Sequence, residues 1–334
     1  MIESFLPAVD FANEAAHAQG LDARATHGDA GEVLLAWAAA GKRPDAVVLN
    51  PPRRGVSPEV RDAVGRLGPR VLIYVSCEPM SLARDLDHLA RLGYHVAHAE
   101  PFDLMPQTPE VETVVLAVRG EIPAPPVLYE DADVIFVDKG PHEPVTPQGE
   151  HVFSLMARVH AKLSLPEAVP VQRLDEGTSG VCVIAKSARS LAAWTEALSR
   201  EDAVKSYVAL VRGIARDSGT NRAPLIERGK ALEAVTRYDR LEVIGGHSLV
   251  RVTPVTGRKH QIRRHLAQLE HEVLGDARHG HAPSNRHFAE KYLLDRPFLH
   301  CAKIELTHPQ TGERLGVESP LPGDLAAVLQ RLRG

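Results

Sequence analysis

The larger part of this chain is organised around the sixteen residues VQRLDEGTSGVCVIAK at positions 171–186. A charged pair, Arg173 and Asp175, precedes a small-residue turn at 178–180, and an apolar run at 181–185 follows at once. A short apolar run next to a turn predicts a buried strand. The turn therefore holds a carboxylate at the lip of a packed sheet, where it needs a cation or hydrogen-bond donors to stay ionised. On the charge pattern alone, an ordinary acidic turn is the simpler interpretation.

Three stretches further along the chain change that interpretation. KSYVALVRG at 205–213 alternates like a strand and places Tyr207 on the same face as Lys205. GRKHQIRRHL at 257–266 opens a predicted helix, and GDARHG at 275–280 follows as a tight turn. Predicted strands at 134–138, 249–255 and 298–306 rarely alternate with helices strictly, which favours an α+β class with a mixed or antiparallel sheet.

The motifs RLDEGTSG, KSYVALVRG and GRKHQIRRHL resemble those of the RluA-type RNA pseudouridine synthases, over residues 127–334. The resemblance implies an isomerase that converts a uridine of structured RNA, with Asp175 as the catalytic carboxylate, Tyr207 against the uracil ring and Arg263 as the ionic partner of Asp175. It leaves open whether the carboxylate attacks C1′ or abstracts a sugar proton. It implies no metal and no cofactor. The stretch from 265 to 313 is most similar to the tRNA subgroup called TruC, so we expect tRNA rather than rRNA as substrate.

The net charge of −4 is not typical of a nucleic-acid-binding protein, but the charge is unevenly distributed. Residues 1–120 hold 11 basic and 16 acidic residues, and the remainder holds 28 and 27. Arg258, Lys259 and Arg264 lie within seven positions and are expected to bind the RNA backbone, with Lys205 and Arg173 beside the site. Arg173 would occupy the space that a flipped uridine leaves, or hold the flipped backbone. A solvated helix face is the alternative interpretation of the cluster.

Residues 1–120 alternate predicted helices with predicted strands at 46–49, 71–75 and 113–118, the pattern of an α/β sheet. LNPPRRG at 49–55, YVSCEPMSLARDLDHLARLGY at 74–94 and PFDLMPQTPEVETVVL at 101–116 resemble the C-terminal half of RNA uracil-5-methyltransferases. That resemblance implies that Cys77 would attack uracil and Glu112 would remove the C5 proton. Glu3 would hold the ribose of S-adenosylmethionine, and Asn50 would belong to the same site.

The Gly-rich strand and turn with which that family binds S-adenosylmethionine are not found in this sequence. We therefore expect residues 1–119 to form a truncated, partial Rossmann-like α/β fragment that is inactive as a methyltransferase. An S-adenosylmethionine-dependent RNA uracil-5-methyltransferase that uses Cys77 is the alternative, should the start of the chain be misassigned.

The segment GEIPAPP at 120–126 has three prolines in seven residues and predicts a stiff linker before the domain at 127–334. Three distant cysteines, Cys77, Cys182 and Cys301, indicate a reducing compartment and form no metal-ligand spacing. No signal peptide and no membrane-length apolar run is visible. We expect a cytoplasmic monomer with RNA as its partner.

Overall fold

The computed structural model describes residues 1–104, 106–108, 111–147 and 153–334, and it divides into two compact units, Met1–Ile122 and Pro123–Gly334. The predicted linker at 120–126 spans the boundary between these units and stays a prediction. Within the described ranges, no helix is both long and apolar enough to cross a membrane.

The first unit alternates helices and strands. Its elements are β1 (Ile2–Glu3), α1 (Leu6–Ala18), β2 (Thr26–His27), α2 (Ala30–Ala39), β3 (Ala46–Leu49), α3 (Pro58–Leu67), β4 (Val71–Ser76), α4 (Pro79–Arg91), β5 (Tyr94–Phe102) and β6 (Glu112–Arg119). The helix ends follow local chemistry. Asp29 accepts the backbone N–H groups of Gly31 and Glu32 at the start of α2, and Gly68 ends α3 in the left-handed region at φ 63°.

The strands of the first unit form two separate sheets. The pair β1–β2 is parallel, and the other four strands lie in the order β3-β4-β6-β5, with β3 parallel to β4 and the remaining pairs antiparallel. The strands predicted at 46–49, 71–75 and 113–118 are confirmed. The sequence patterns missed α2 and β5. In β5 only the first residue, Tyr94, is buried, so that strand carries no alternating apolar signal.

The second unit is built on one large mixed sheet. Its strands are β7 (Val127–Glu130), β8 (Val134–Lys139), β9 (Val169–Pro170), β10 (Ser179–Ala185), β11 (Val204–Val211), β12 (Ser218–Asn221), β13 (Leu225–Glu227), β14 (Lys230–Leu232), β15 (Thr236–Ile244), β16 (His247–Pro254), β17 (Leu299–Thr307) and β18 (Arg314–Glu318). Its helices are α5 (Leu155–Lys162), α6 (Ala188–Ser199), α7 (Gln261–Gln268), α8 (Ala282–Tyr292) and α9 (Gly323–Arg333). The sheet order is β12-β15-β16-β11-β17-β10-β8-β7, with β9 added to β10 and β18 to β17, while β13 and β14 form a separate hairpin. The predicted α+β class is confirmed.

Strand β10 is an inner strand of this sheet, and every one of its residues is buried. It pairs in parallel with β17 and antiparallel with β8, which brings the turn before it to the middle of the domain. Gly180 has φ 111°, and a Cβ there would lie 2.2 Å from the carbonyl oxygen of Cys301. Only glycine fits this close approach between two backbones. The core is completed by Trp194 of α6, which is fully buried. Its ring lies edge-on to that of Phe136, with 5.8 Å between the ring centroids.

Candidate active site

The turn that carries Asp175 is closed locally and held by a buried cation. The backbone N–H of Thr178 donates to the carbonyl of Asp175 at 3.0 Å. Lys139, which is fully buried, donates its ammonium to the carbonyl of Glu176 at 3.1 Å and to two further backbone carbonyls. A buried ammonium is stable only when its donors are all used, so this network fixes the turn against β8.

The far side of the same turn is held by α9 and β17. Arg296 is buried, makes a bidentate pair with Asp324 at 2.6 and 2.9 Å, and donates to the carbonyl of Gly177 at 3.1 Å. The hydroxyl of Ser179 lies 3.0 Å from Nδ1 of His300. The position of the Asp175 carboxylate is therefore set by strands and helices far apart in the sequence.

A guanidinium lies between Asp175 and a second, fully buried carboxylate. Arg263 of α7 donates from Nη1 to Oδ2 of Asp175 at 3.0 Å, and from Nε and Nη2 to both oxygens of Asp276 at 2.5 and 2.6 Å. The side chain of Asp276 is 1% exposed, and that of Asp175 is 29% exposed. Asp276 orients the guanidinium, so that one nitrogen is left to face the more accessible carboxylate.

The protonation states in this triad follow from burial and pairing. Burial alone would raise the pKa of Asp276, but the hydrogen bonds and the charge of Arg263 outweigh it and hold that pKa below its usual range. Burial alone would lower the pKa of Arg263, but Asp276 and then Asp175 raise it above the usual value. Arg263 is therefore a permanent cation that faces Oδ2 of Asp175 and leaves Oδ1 uncommitted to it.

Strand register places Tyr207 at the level of the Asp175 turn. Cys301 of β17 pairs with Gly180 of β10 on one side and with Tyr207 of β11 on the other. Tyr207 is 9% exposed, and burial, followed by the nearby Cys301 and Asp175, raises its pKa well above the usual range. Its phenol stays neutral, and the ring provides a flat apolar surface close to Asp175.

The five residues expected to bind RNA lie in different surroundings. Arg173 and Lys259 are exposed. Arg258 donates to the carbonyl of Glu233 at 2.9 Å, and Arg264 to that of Ile226 at 3.1 Å, so both also hold the chain around the β13–β14 hairpin. Lys205 donates to the carbonyl of Leu198 at 3.3 Å, and burial lowers its pKa. Its geometry is that of a residue that secures the end of α6, and a role in RNA binding stays a prediction.

In the first unit, three of the four expected methyltransferase residues follow or begin adjacent strands. Asn50 and Cys77 come directly after β3 and β4, and Glu112 begins β6 beside the pair Ser76–Thr113. Glu3 lies on the separate sheet β1–β2, where its carboxylate accepts the backbone N–H of Phe5 at 2.9 Å. This hydrogen bond is the main cause that lowers the pKa of Glu3. Their roles stay predictions.

Sequence reasoning missed the residues that hold the site together. No role was assigned from the sequence to Asp276, Lys139 or Arg296, although Asp276 lies in the turn GDARHG quoted above. Their burial is the signal of their importance, and burial of a charged residue is invisible before the fold is known.

Comparison with known proteins gives the same two parts. Residues 133–268 match the family model described as RNA pseudouridylate synthase, and residues 42–120 match that described as tRNA (Uracil-5-)-methyltransferase. The chain is 33% identical to the ribosomal large subunit pseudouridine synthase D of Xanthomonas campestris pv. campestris, over 67% of this chain and 73% of that protein. It is 34% identical to the ribosomal large subunit pseudouridine synthase C of Escherichia coli K12, over 62% and 70% of the two chains.

A solved structure shares the fold of the second part. Human RNA pseudouridylate synthase domain containing 4 superposes with a TM-score of 0.52 at 23% identity, and it covers 62% of this chain and 92% of its own.

Proposed function

The chain belongs to the RNA pseudouridine synthases, and we propose that Asp175 is the catalytic carboxylate of a uridine isomerase whose substrate is a structured RNA. The observation that carries this proposal is the contact between Arg263 and Asp175 at 3.0 Å, close enough to Tyr207 that the charge of Asp175 helps to raise the pKa of its phenol. It joins residues 88 positions apart into one site.

The reaction needs little beyond what these residues provide. The bond from C1′ to N1 of uracil breaks, the base rotates, and a bond from C1′ to C5 forms. C5 loses a proton and N1 gains one, so the atoms and electrons balance without an oxidant. Arg263 donates to Oδ2 of Asp175, so that Oδ1 is free to attack C1′ or to take a sugar proton. The neutral Tyr207 ring supports the detached base by stacking.

The target uridine must leave its helix before it can reach Asp175, which costs a few kcal/mol. We propose that exposed Arg173, two residues before Asp175, helps to hold the flipped conformation. Lys259, with Arg258 and Arg264, would contact the RNA backbone beside α7. If they do, binding should weaken steeply with salt concentration.

For the RNA class, we propose tRNA, because the stretch at 265–313 is most similar to the tRNA subgroup of the family. The two curated relatives named above are called ribosomal large subunit synthases, which supports rRNA as the competing substrate. Unmodified transcripts of both classes, offered separately to the purified chain, distinguish these substrates.

The experiment uses RNA labelled with tritium at C5 of uridine, because isomerisation releases that hydrogen to water. Wild-type protein should release tritium, and Asp175→Ala should release none while its thermal unfolding midpoint is kept. Glu176→Ala is the matched control, because Glu176 is the exposed acidic neighbour in the same turn and should keep full activity. Full activity of Asp175→Ala would exclude this assignment.

A further inference from the structure

Two histidines form a hydrogen-bonded pair beside the Asp175 carboxylate. Nδ1 of His260 lies 2.8 Å from Nε2 of His279, and the two rings pack edge to face with 5.1 Å between their centroids. The opposite nitrogen of His260, Nε2, lies 3.8 Å from Oδ1 of Asp175. This is the oxygen that Arg263 does not hold. The pair therefore faces the part of the carboxylate that is free to react.

The backbones of the two histidines are connected to the elements that build the site. His260 precedes α7 with a left-handed backbone at φ 53°. The backbone N–H of His279 donates to Oδ1 of Asp276 at 2.9 Å, and Asp276 is the residue that clamps Arg263. The pair and the guanidinium thus share one buried anchor.

The hydrogen positions follow from electrostatics. Between two ring nitrogens at 2.8 Å, one must donate and the other must accept. A lone pair on Nε2 of His260 would be repelled by Oδ1 of Asp175, so this nitrogen carries the hydrogen. In a neutral ring Nδ1 is then an acceptor, and His279 must donate to it from Nε2.

Burial lowers the pKa of both histidines, so the neutral pair is the form present at neutral pH. Arg263 and Arg278 oppose a positive charge on either ring, and Arg264 opposes it on His279. Asp175 favours the charge on His260, and Asp276 favours it on His279.

We propose that His260 and His279 position the Asp175 carboxylate, with His279 donating to His260 and His260 directing its Nε2–H at Oδ1. The proposal rests on the function proposed above for Asp175. At 3.8 Å the contact is longer than a hydrogen bond, so it orients Oδ1 without occupying it. When Nδ1 of His279 gains a proton, the shared hydrogen moves from Nε2 of His279 to Nδ1 of His260, and His260 becomes a cation that competes with the substrate for Oδ1. The pair therefore also sets the pH below which the rate falls.

The kinetic test replaces the donor in two ways. His279→Phe keeps a ring but cannot donate, and the single-turnover rate should fall about tenfold, the lower end of the effect of removing the hydrogen-bond partner that orients a metal-bound histidine. His279→Gln places an amide N–H near the position of Nε2 and should restore the rate to near the wild-type value.

In His260→Gln, which keeps an N–H but does not titrate in this range, the acid limb of the rate should move to lower pH. Rates and acid limbs of all three variants equal to those of the wild type would overturn the proposal.

A second measurement uses the wild-type protein and requires neither activity nor a folded variant. In protein labelled with ¹⁵N-histidine, long-range ¹H–¹⁵N spectra identify the hydrogen-bearing nitrogen of each ring. We expect Nε2–H on both His260 and His279 at neutral pH. An Nδ1–H on His260 would refute the proposed donation from His279 to His260. If wild-type protein forms no pseudouridine in any RNA, the proposed function fails, while this spectrum still decides the geometry of the pair.

Discussion

Replacing Asp276 by alanine tests the argument that this buried carboxylate holds Arg263 in place. Asp276 is fully buried, pairs with Arg263 through two hydrogen bonds, and accepts the backbone N–H groups of Arg278 and His279 at 2.9 Å each. Its removal leaves a buried guanidinium short of one partner, a change that costs about 3–5 kcal/mol. The two backbone donors add to this cost unless water reaches them.

We therefore expect Asp276→Ala to lower the free energy of unfolding of the second unit by about 4 kcal/mol, with the melting temperature reduced by roughly 10 °C for a domain of this size. The fluorescence of buried Trp194 reports this unit alone in a Trp37→Phe background, because the chain has two tryptophans. Urea titration with linear extrapolation gives the change in free energy.

Two comparisons make the result specific. Asp217→Ala removes an exposed carboxylate that pairs with Arg240, and it should leave the urea midpoint unchanged, because exposed pairs contribute little. The double variant Arg263→Met, Asp276→Leu should recover the part of the lost stability that comes from the unpaired guanidinium, but no activity, since a buried pair can be replaced by apolar side chains. A loss below about 1 kcal/mol in Asp276→Ala would show that Asp276 does not hold Arg263 as a buried ion pair, because a buried pair broken on one side costs several times that amount.

Three further predictions follow from other parts of the molecule. Gly180→Ala should destabilise the second unit by on the order of 3 kcal/mol in the same urea titration, because it combines a positive φ with a clash against the backbone of Cys301; an unchanged midpoint would contradict this. The stability of the second unit should fall as the pH drops below about 6.5, the usual pKa of free histidine. Burial lowers the pKa of His300 and of His265, so the unfolded chain binds protons that the folded chain does not. Equal urea midpoints at pH 7.5 and 5.5 would show the sign to be wrong. The chain should show no binding of S-adenosylmethionine in calorimetry, because Glu3, the residue expected to hold its ribose, lies on a sheet separate from β3 and β4 and already accepts the backbone N–H of Phe5; micromolar binding would restore Cys77 as a candidate nucleophile.

Much of the architecture could be predicted because the signals are local. The apolar run at 181–185 lies within β10, which is buried along its whole length, and the alternation at 205–212 corresponds to β11. Periodicity also located α7, although the helix is only eight residues long. It failed for β5 and for the β13–β14 hairpin, because their residues are exposed or lie in strands too short to show a pattern.

The family motifs, the α+β class and the residue types of the site could be recognised from the order of residues alone, because these depend on local patterns and on the order of motifs. Which charges meet depends on the tertiary structure. Only the sheet order β11-β17-β10 places Tyr207 and Gly180 on either side of Cys301, and only the fold brings Arg263 within 3.0 Å of Asp175. The buried anchors Asp276, Lys139 and Arg296 and the pair His260–His279 were likewise fixed by packing. The energy of a charge or a hydrogen bond depends on its distance to partners and on its burial, and neither quantity is written in the order of residues.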